Sequence, residues 1–109
     1  MIVIEKNEGA KIPYDVTGTK VCFDDDLTIN LAKREEDDPV HIDVCHDNDG
    51  ALVIGAAAGR TYVAEIDIPA REYVDKETEE TDTEGKPVVV REALPLDMDK
   101  VTLTLWAVV

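Results

Sequence analysis

The stretch Val40-His41-Ile42-Asp43-Val44-Cys45-His46, followed by Asp47-Asn48-Asp49-Gly50 and then Ala51-Leu52-Val53-Ile54, decides the fold. Two runs rich in β-branched residues flank four turn formers, which is the pattern of a β-hairpin. Asp47 suits the first position of a type I turn, Asn48 and Asp49 its centre, and Gly50 the left-handed bulge residue that follows. Pairing Asp47 with Ala51 fixes a register. It sets Val44 beside Ile54 and Ile42 beside Ala56 on one face, with Cys45 beside Val53 on the other. The Val-Ile face is the expected core.

The alternation continues outward in both directions. Val21, Phe23, Leu27, Ile29 and Leu31 fall on odd positions around Asp24-Asp25-Asp26, which predicts two short strands joined by an acidic turn. A helix capped by Asp26 is the rival, but Thr28, Ile29 and Asn30 are poor helix formers. Tyr62, Ala64, Ile66 and Ile68 alternate with Val63, Glu65 and Asp67 until Pro69 stops the strand. Val101, Leu103, Leu105 and Ala107 alternate with Thr102, Thr104, Trp106 and Val108, so this segment too reads as a paired strand. Ile2 to Glu5 reads as a first strand, and Lys11 to Tyr14 as a weak one. Gly55-Ala-Ala-Ala-Gly59 reads as a tight connection between strands.

Glu72-Tyr-Val-Asp and Pro87-Val-Val-Val form the legs of a further hairpin. Its tip, Asp75 to Glu84, has almost nothing to bury and is expected to be a long, mobile acidic loop. The expected architecture is one all-β domain over residues 1–109, an antiparallel β-sandwich or barrel of about eight short strands.

A chain of 109 residues with 44% hydrophobic content can build one core and has no room for a second. Its net charge of −14 excludes the usual route to nucleic acid, in which Lys and Arg displace counterions from phosphates, and it repels anionic membranes as well. No stretch approaches the roughly 20 apolar residues that span a bilayer. Met1-Ile-Val-Ile-Glu-Lys is charged too early for a signal peptide, so a cytoplasmic location is expected. Cys22 and Cys45 are expected as free thiols, since the chain lacks the cysteine density of a disulfide scaffold. The acids cluster in Asp24-Asp25-Asp26, Glu35-Glu36-Asp37-Asp38 and Asp75 to Glu84, which places them in turns and loops.

Each candidate site meets a chemical objection. Asp47-Asn48-Asp49-Gly50 resembles part of a calcium loop, but Cys45 stands where an oxygen ligand belongs and the distal Glu is missing. His41, Asp43 and Cys45 project from one face of a strand, with Cys22 elsewhere, and these are zinc-type donors without an anchoring Cys-x-x-Cys or His-x-x-x-His pair. His41, Cys45 and Cys22 are therefore the metal candidates, and no cofactor is expected. A cysteine nucleophile needs a positive neighbour, whereas both thiols lie among carboxylates. No glycine-rich loop offers a phosphate cradle, and the few aromatics do not suit carbohydrate hydrolysis.

What remains is surface. Val63, Val89, Trp106 and Val108 fall opposite the expected core, and Glu79, Glu80, Asp82 and Glu84 lie in the acidic tip; together they are the expected interaction residues. A compact chain that begins and ends in strands and carries one long acidic loop resembles small virion or prophage accessory proteins in general style. That resemblance implies a non-enzymatic structural or interaction module within a larger assembly, with a protein partner or a second copy. The alternatives are an acidic mimic of nucleic acid that inhibits a basic protein, and a metal-dependent binding protein.

Overall fold

The alternating pattern folds into three sheets. The computed structural model describes residues 1–55 and 61–108. Its strands are β1 (Ile2–Glu5), β2 (Tyr14–Thr17), β3 (Lys20–Phe23), β4 (Leu27–Asn30), β5 (Val40–His46), β6 (Leu52–Ile54), β7 (Thr61–Ile68), β8 (Tyr73–Thr81), β9 (Pro87–Ala93) and β10 (Thr102–Leu105). Among the described residues a five-stranded sheet has the order β1-β10-β7-β5-β6, a three-stranded sheet the order β2-β3-β4, and β8 and β9 form a two-stranded sheet. Pairing is antiparallel except between β1 and β10, which run parallel. The expected all-β class holds, in its sandwich form: among the described residues the large sheet has two edges, β1 and β6, and no closure into a barrel.

One core joins the two larger sheets. Val21, Phe23 and Ile29 from the small sheet meet Ile42, Val44, Ile66, Ile68, Leu103 and Leu105 from the large one. The β5–β6 hairpin has the expected register, with Val44 opposite Ile54 and Cys45 opposite Val53. Asp47 N–H donates to Ala51 O at 2.9 Å, and Gly50 takes φ +79°. The expected Ile42–Ala56 pair and most of the Gly55–Gly59 connection lie outside the described residues. The turn between β3 and β4 forms without glycine because Asp24 and Asp25 take φ +52° and +51°, the left-handed region that Asp tolerates better than most residues. The weak strand foreseen at Lys11 to Tyr14 begins only at Tyr14; Lys11 makes a single bridge to Ala107.

One irregularity reverses two expected orientations. Between β5 and β7 the register steps from Val44–Ala64 to Cys45–Tyr62, so Val63 has no partner and forms a β-bulge. The extra residue sends Val63 into the core, fully buried, and turns Tyr62 out to 37% exposure. Parity alone had placed Tyr62 inside and Val63 outside.

The segment from Asp75 to Glu84, expected as a loop, is strand as far as Thr81, with its pairing to β9 interrupted between Glu77 and Thr81. β8 runs through Thr81, and Asp82-Thr83-Glu84-Gly85 makes the turn into β9. That turn repeats the one at Asp47. In each, the Asp carboxylate accepts from the backbone N–H groups two and four residues on: Asp49 and Ala51 at 2.9 Å each, Glu84 at 2.9 Å and Lys86 at 3.0 Å. Gly85, at φ +81°, matches Gly50. The hairpin is an arm. A strand of nine residues spans roughly 30 Å at ~3.3 Å per residue, which accounts for the molecule's extents of 66 × 23 × 21 Å.

The arm's root is tied to the body by the second acidic run. The Arg71 guanidinium donates to Glu35 O at 2.7 Å and lies 3.6 Å from Asp37, while Tyr73 Oη donates to Asp37. On the other side Lys100 Nζ reaches Glu72 at 2.9 Å. Glu35 and Asp37, in an acidic run expected in turns and loops, thus hold the root of the arm.

Candidate functional site

Strand order creates a polar cluster on the outer face of the large sheet. The register of β5 against β7 sets His41 opposite Asp67 and Asp43 opposite Glu65. Their neighbours Ile42, Val44, Ala64 and Ile66 face the core, so these four side chains are held on one side by the burial of the other. His41 Nδ1 lies 2.6 Å from Asp67 Oδ1, and His41 Nε2 lies 2.8 Å from Asp43 Oδ1 and 3.5 Å from Glu65 Oε1. Glu65 is oriented in turn by Trp106, whose Nε1–H donates to Glu65 Oε2 at 2.8 Å.

The bulge at Val63 completes this face. Its carbonyl accepts from Trp106 N–H at 3.0 Å, and the displaced Tyr62 stacks on the Trp106 ring with centroids 5.2 Å apart. Lys6 Nζ approaches the same indole at 5.5 Å. With both ring nitrogens facing carboxylates, His41 favours the imidazolium. The hydrogen bond to Asp67 raises its pKa most, burial opposes this, and the bond to Asp43 adds to the rise. Tyr62 is raised in the same field, chiefly by Asp43.

Of the metal candidates, the fold brings His41 to Asp43 and separates it from Cys22. Cys22 alternates with the buried Val21 and Phe23 and so lies on the outer side of the small sheet, across the core from His41. Cys45 is beside the cluster but only 2% exposed, and its thiol is pushed up by burial and then by Asp43 and Glu65. That direction is opposite to what a thiolate ligand or nucleophile needs. His41, Asp43 and Glu65 place one donor atom each within 4.8 Å of one another. Sequence reasoning missed Glu65 and Asp67 as partners of His41, although their outward alternation in β7 was legible; the adjacency of β5 and β7 was not.

The expected interaction residues fall into three groups. Val63 is excluded by full burial. Trp106 and Val108 are half-buried, Trp106 being occupied by Tyr62 and Lys6 and Val108 packing on the core margin. Val89 is 54% exposed on the arm, and Glu79, Glu80 and Glu84 are exposed near its end. Asp82 is exposed as well, but its carboxylate is spent on the turn. Among the described residues, no helix is long and apolar enough to cross a membrane. Comparison with protein-family models, with curated proteins and with solved structures finds no match for this chain.

Proposed function

We propose that this chain is a small acidic interaction module, a subunit or accessory component of a larger assembly such as a virion-like particle, which engages a protein partner through the β8–β9 arm. The arm carries this reading. A two-stranded hairpin is marginally stable alone in water, yet among the described residues this one pairs with neither sheet and leaves Val74, Val89 and Val90 at 43%, 54% and 43% exposure. Packing against a partner would bury those valines and supply what the ladder lacks.

Charge selects the partner's chemistry. Asp75, Glu77, Glu79, Glu80, Asp82, Glu84 and Glu92 outnumber Lys76, Lys86 and Arg91 on the arm, so the complementary surface is basic. A second copy would bring like charge to like charge at a net −14 per chain. The same features support the second reading, a mimic of nucleic-acid phosphates, because Asp75 and Glu77 share one face of a projecting strand.

The test compares the wild-type chain with Glu77→Gln/Glu79→Gln/Glu80→Gln and with Val89→Ser/Val90→Ser in crosslinking against host extract. Recovery of one basic protein, weakened by salt and by both variants, supports the arm as the interface. Capture that both variants leave unchanged would overturn it. Release of the captured protein by duplex DNA would favour the mimic.

A further inference from the structure

We propose that His41, Asp43 and Glu65 bind one divalent transition-metal ion of the zinc class on the outer face of the large sheet, with solvent completing the coordination. The donors are His41 Nε2, Asp43 Oδ1 and Glu65 Oε1, drawn from two adjacent strands. Zinc holds nitrogen and carboxylate oxygen at about 2.0–2.2 Å, so tetrahedral ligand atoms stand roughly 3.4 Å apart. The observed separations from Nε2, 2.8 Å to Asp43 and 3.5 Å to Glu65, bracket that spacing. To reach it, the Asp43 oxygen must move out by about 0.6 Å and the Glu65 oxygen in by about 0.1 Å, and the third separation, between Asp43 and Glu65, lies within 4.8 Å.

The surroundings orient these donors as an outer coordination shell does. A metal-bound imidazole commonly gives its other N–H to a carboxylate, which sets the tautomer. Asp67 stands in that position, 2.6 Å from His41 Nδ1. Trp106 occupies Glu65 Oε2 and leaves Oε1 directed at His41. Asp43 and Glu65 are about one-fifth exposed, at 21% and 22%, which limits the water competing for them. The imidazole disfavours calcium and magnesium, which prefer all-oxygen sets. On binding, the ion takes the Nε2 lone pair and any proton there leaves to solvent, so the charge of the site rises by one when His41 starts as imidazolium.

The experiment titrates Zn²⁺ into chelator-treated, desalted protein, followed by calorimetry and by the ring-proton resonances of the two histidines, His41 and His46. Binding of one ion per chain, shifting His41 and sparing His46, is expected. His41→Ala and Glu65→Gln should each weaken it by ~10-fold or more, and Asp67→Ala by ~10-fold through loss of the outer-shell bond. The arm variant Glu77→Gln/Glu79→Gln/Glu80→Gln should bind as wild type. Circular dichroism of each variant checks that it is folded. Absence of binding, binding that survives His41→Ala, or a Co²⁺ complex with thiolate charge-transfer absorption would overturn the proposal. The histidine resonances decide it in the wild-type chain even where a variant does not fold.

Discussion

His41 and Asp67 stand opposite one another on β5 and β7, and Nδ1 of the first lies 2.6 Å from Oδ1 of the second. Asp43 faces the other ring nitrogen, so the ring, when protonated, ties β5 to β7 through Asp67. The ring's pKa is raised in the folded chain, so the stabilisation is fully present below the unfolded value of about 6.5 and is lost as pH rises through the folded value. In chelator-treated protein, the melting-temperature gap between wild type and His41→Ala should therefore be larger near pH ~5.5 than near pH ~9. A gap that does not change with pH would remove this tie from the stability of the sheet.

The two thiols should react very differently. Cys22 is half-buried on the outside of the small sheet, whereas Cys45 is 2% exposed and its thiol is raised by burial and by Asp43 and Glu65. Iodoacetamide should modify Cys22 in the native protein at least ~10-fold faster than Cys45, and both equally after denaturation. Peptide mass spectrometry assigns the sites; faster alkylation of Cys45 would show that the face between Tyr62 and Val53 opens readily.

The two acidic runs should respond to different extents. Glu35 has a side chain 10% exposed and is paired with Arg71, so Glu35→Ala should loosen the root of the arm and cost about 1 kcal/mol in denaturant unfolding. Glu79→Gln and Glu80→Gln alter exposed residues without a described ion pair and should stay within about 0.5 kcal/mol of wild type. Equal losses for both would mean that the arm's acids are structural.

Phe23 and Val89 mark the contrast between core and arm. Phe23 is fully buried at the meeting of the two sheets, so Phe23→Ala should cost about 3–5 kcal/mol and leave the domain close to unfolding. Val89→Ala, at a position 54% exposed, should cost less than about 0.5 kcal/mol. Urea midpoints measured at equal slope give both values; a large loss at Val89 would show the arm packed against something in the isolated chain.

Gly9 has a single tolerated size. It takes φ +127°, and a Cβ built there would sit 2.9 Å from the Cβ of Ala107. The clash falls where Val108 N–H meets Ala10 O at 2.8 Å, holding the last residues against the loop after β1. Gly9→Ala should cost about 1–3 kcal/mol and speed hydrogen exchange at Val108. Unchanged exchange would show that the loop yields without disturbing that contact.

Much of this architecture was legible because its determinants are local. The Asp47 to Gly50 turn set the β5–β6 register through side-chain bonds spanning only four residues. Asp82 to Gly85 carries the same Asp-x-x-Gly signal, and reading it would have extended the first leg of that hairpin to Thr81, where composition alone implied a loop. The acids of Asp75 to Glu84 obscured it, since a strand with both faces in water has no apolar alternation to display.

The chain's own order of residues determined which segments are strands, which faces they bury, and how the nearest neighbours in sequence pair, because periodicity and turn chemistry act over a few residues. Only the tertiary structure decided that β7 lies between β5 and β10, that Val63 bulges inward and turns Tyr62 onto Trp106, and that Glu35 is spent on Arg71. Those outcomes depend on how two sheets share one core, a balance struck among residues distant in sequence. His41, Asp43, Glu65 and Asp67 became one cluster by that balance, and no spacing along the chain records it.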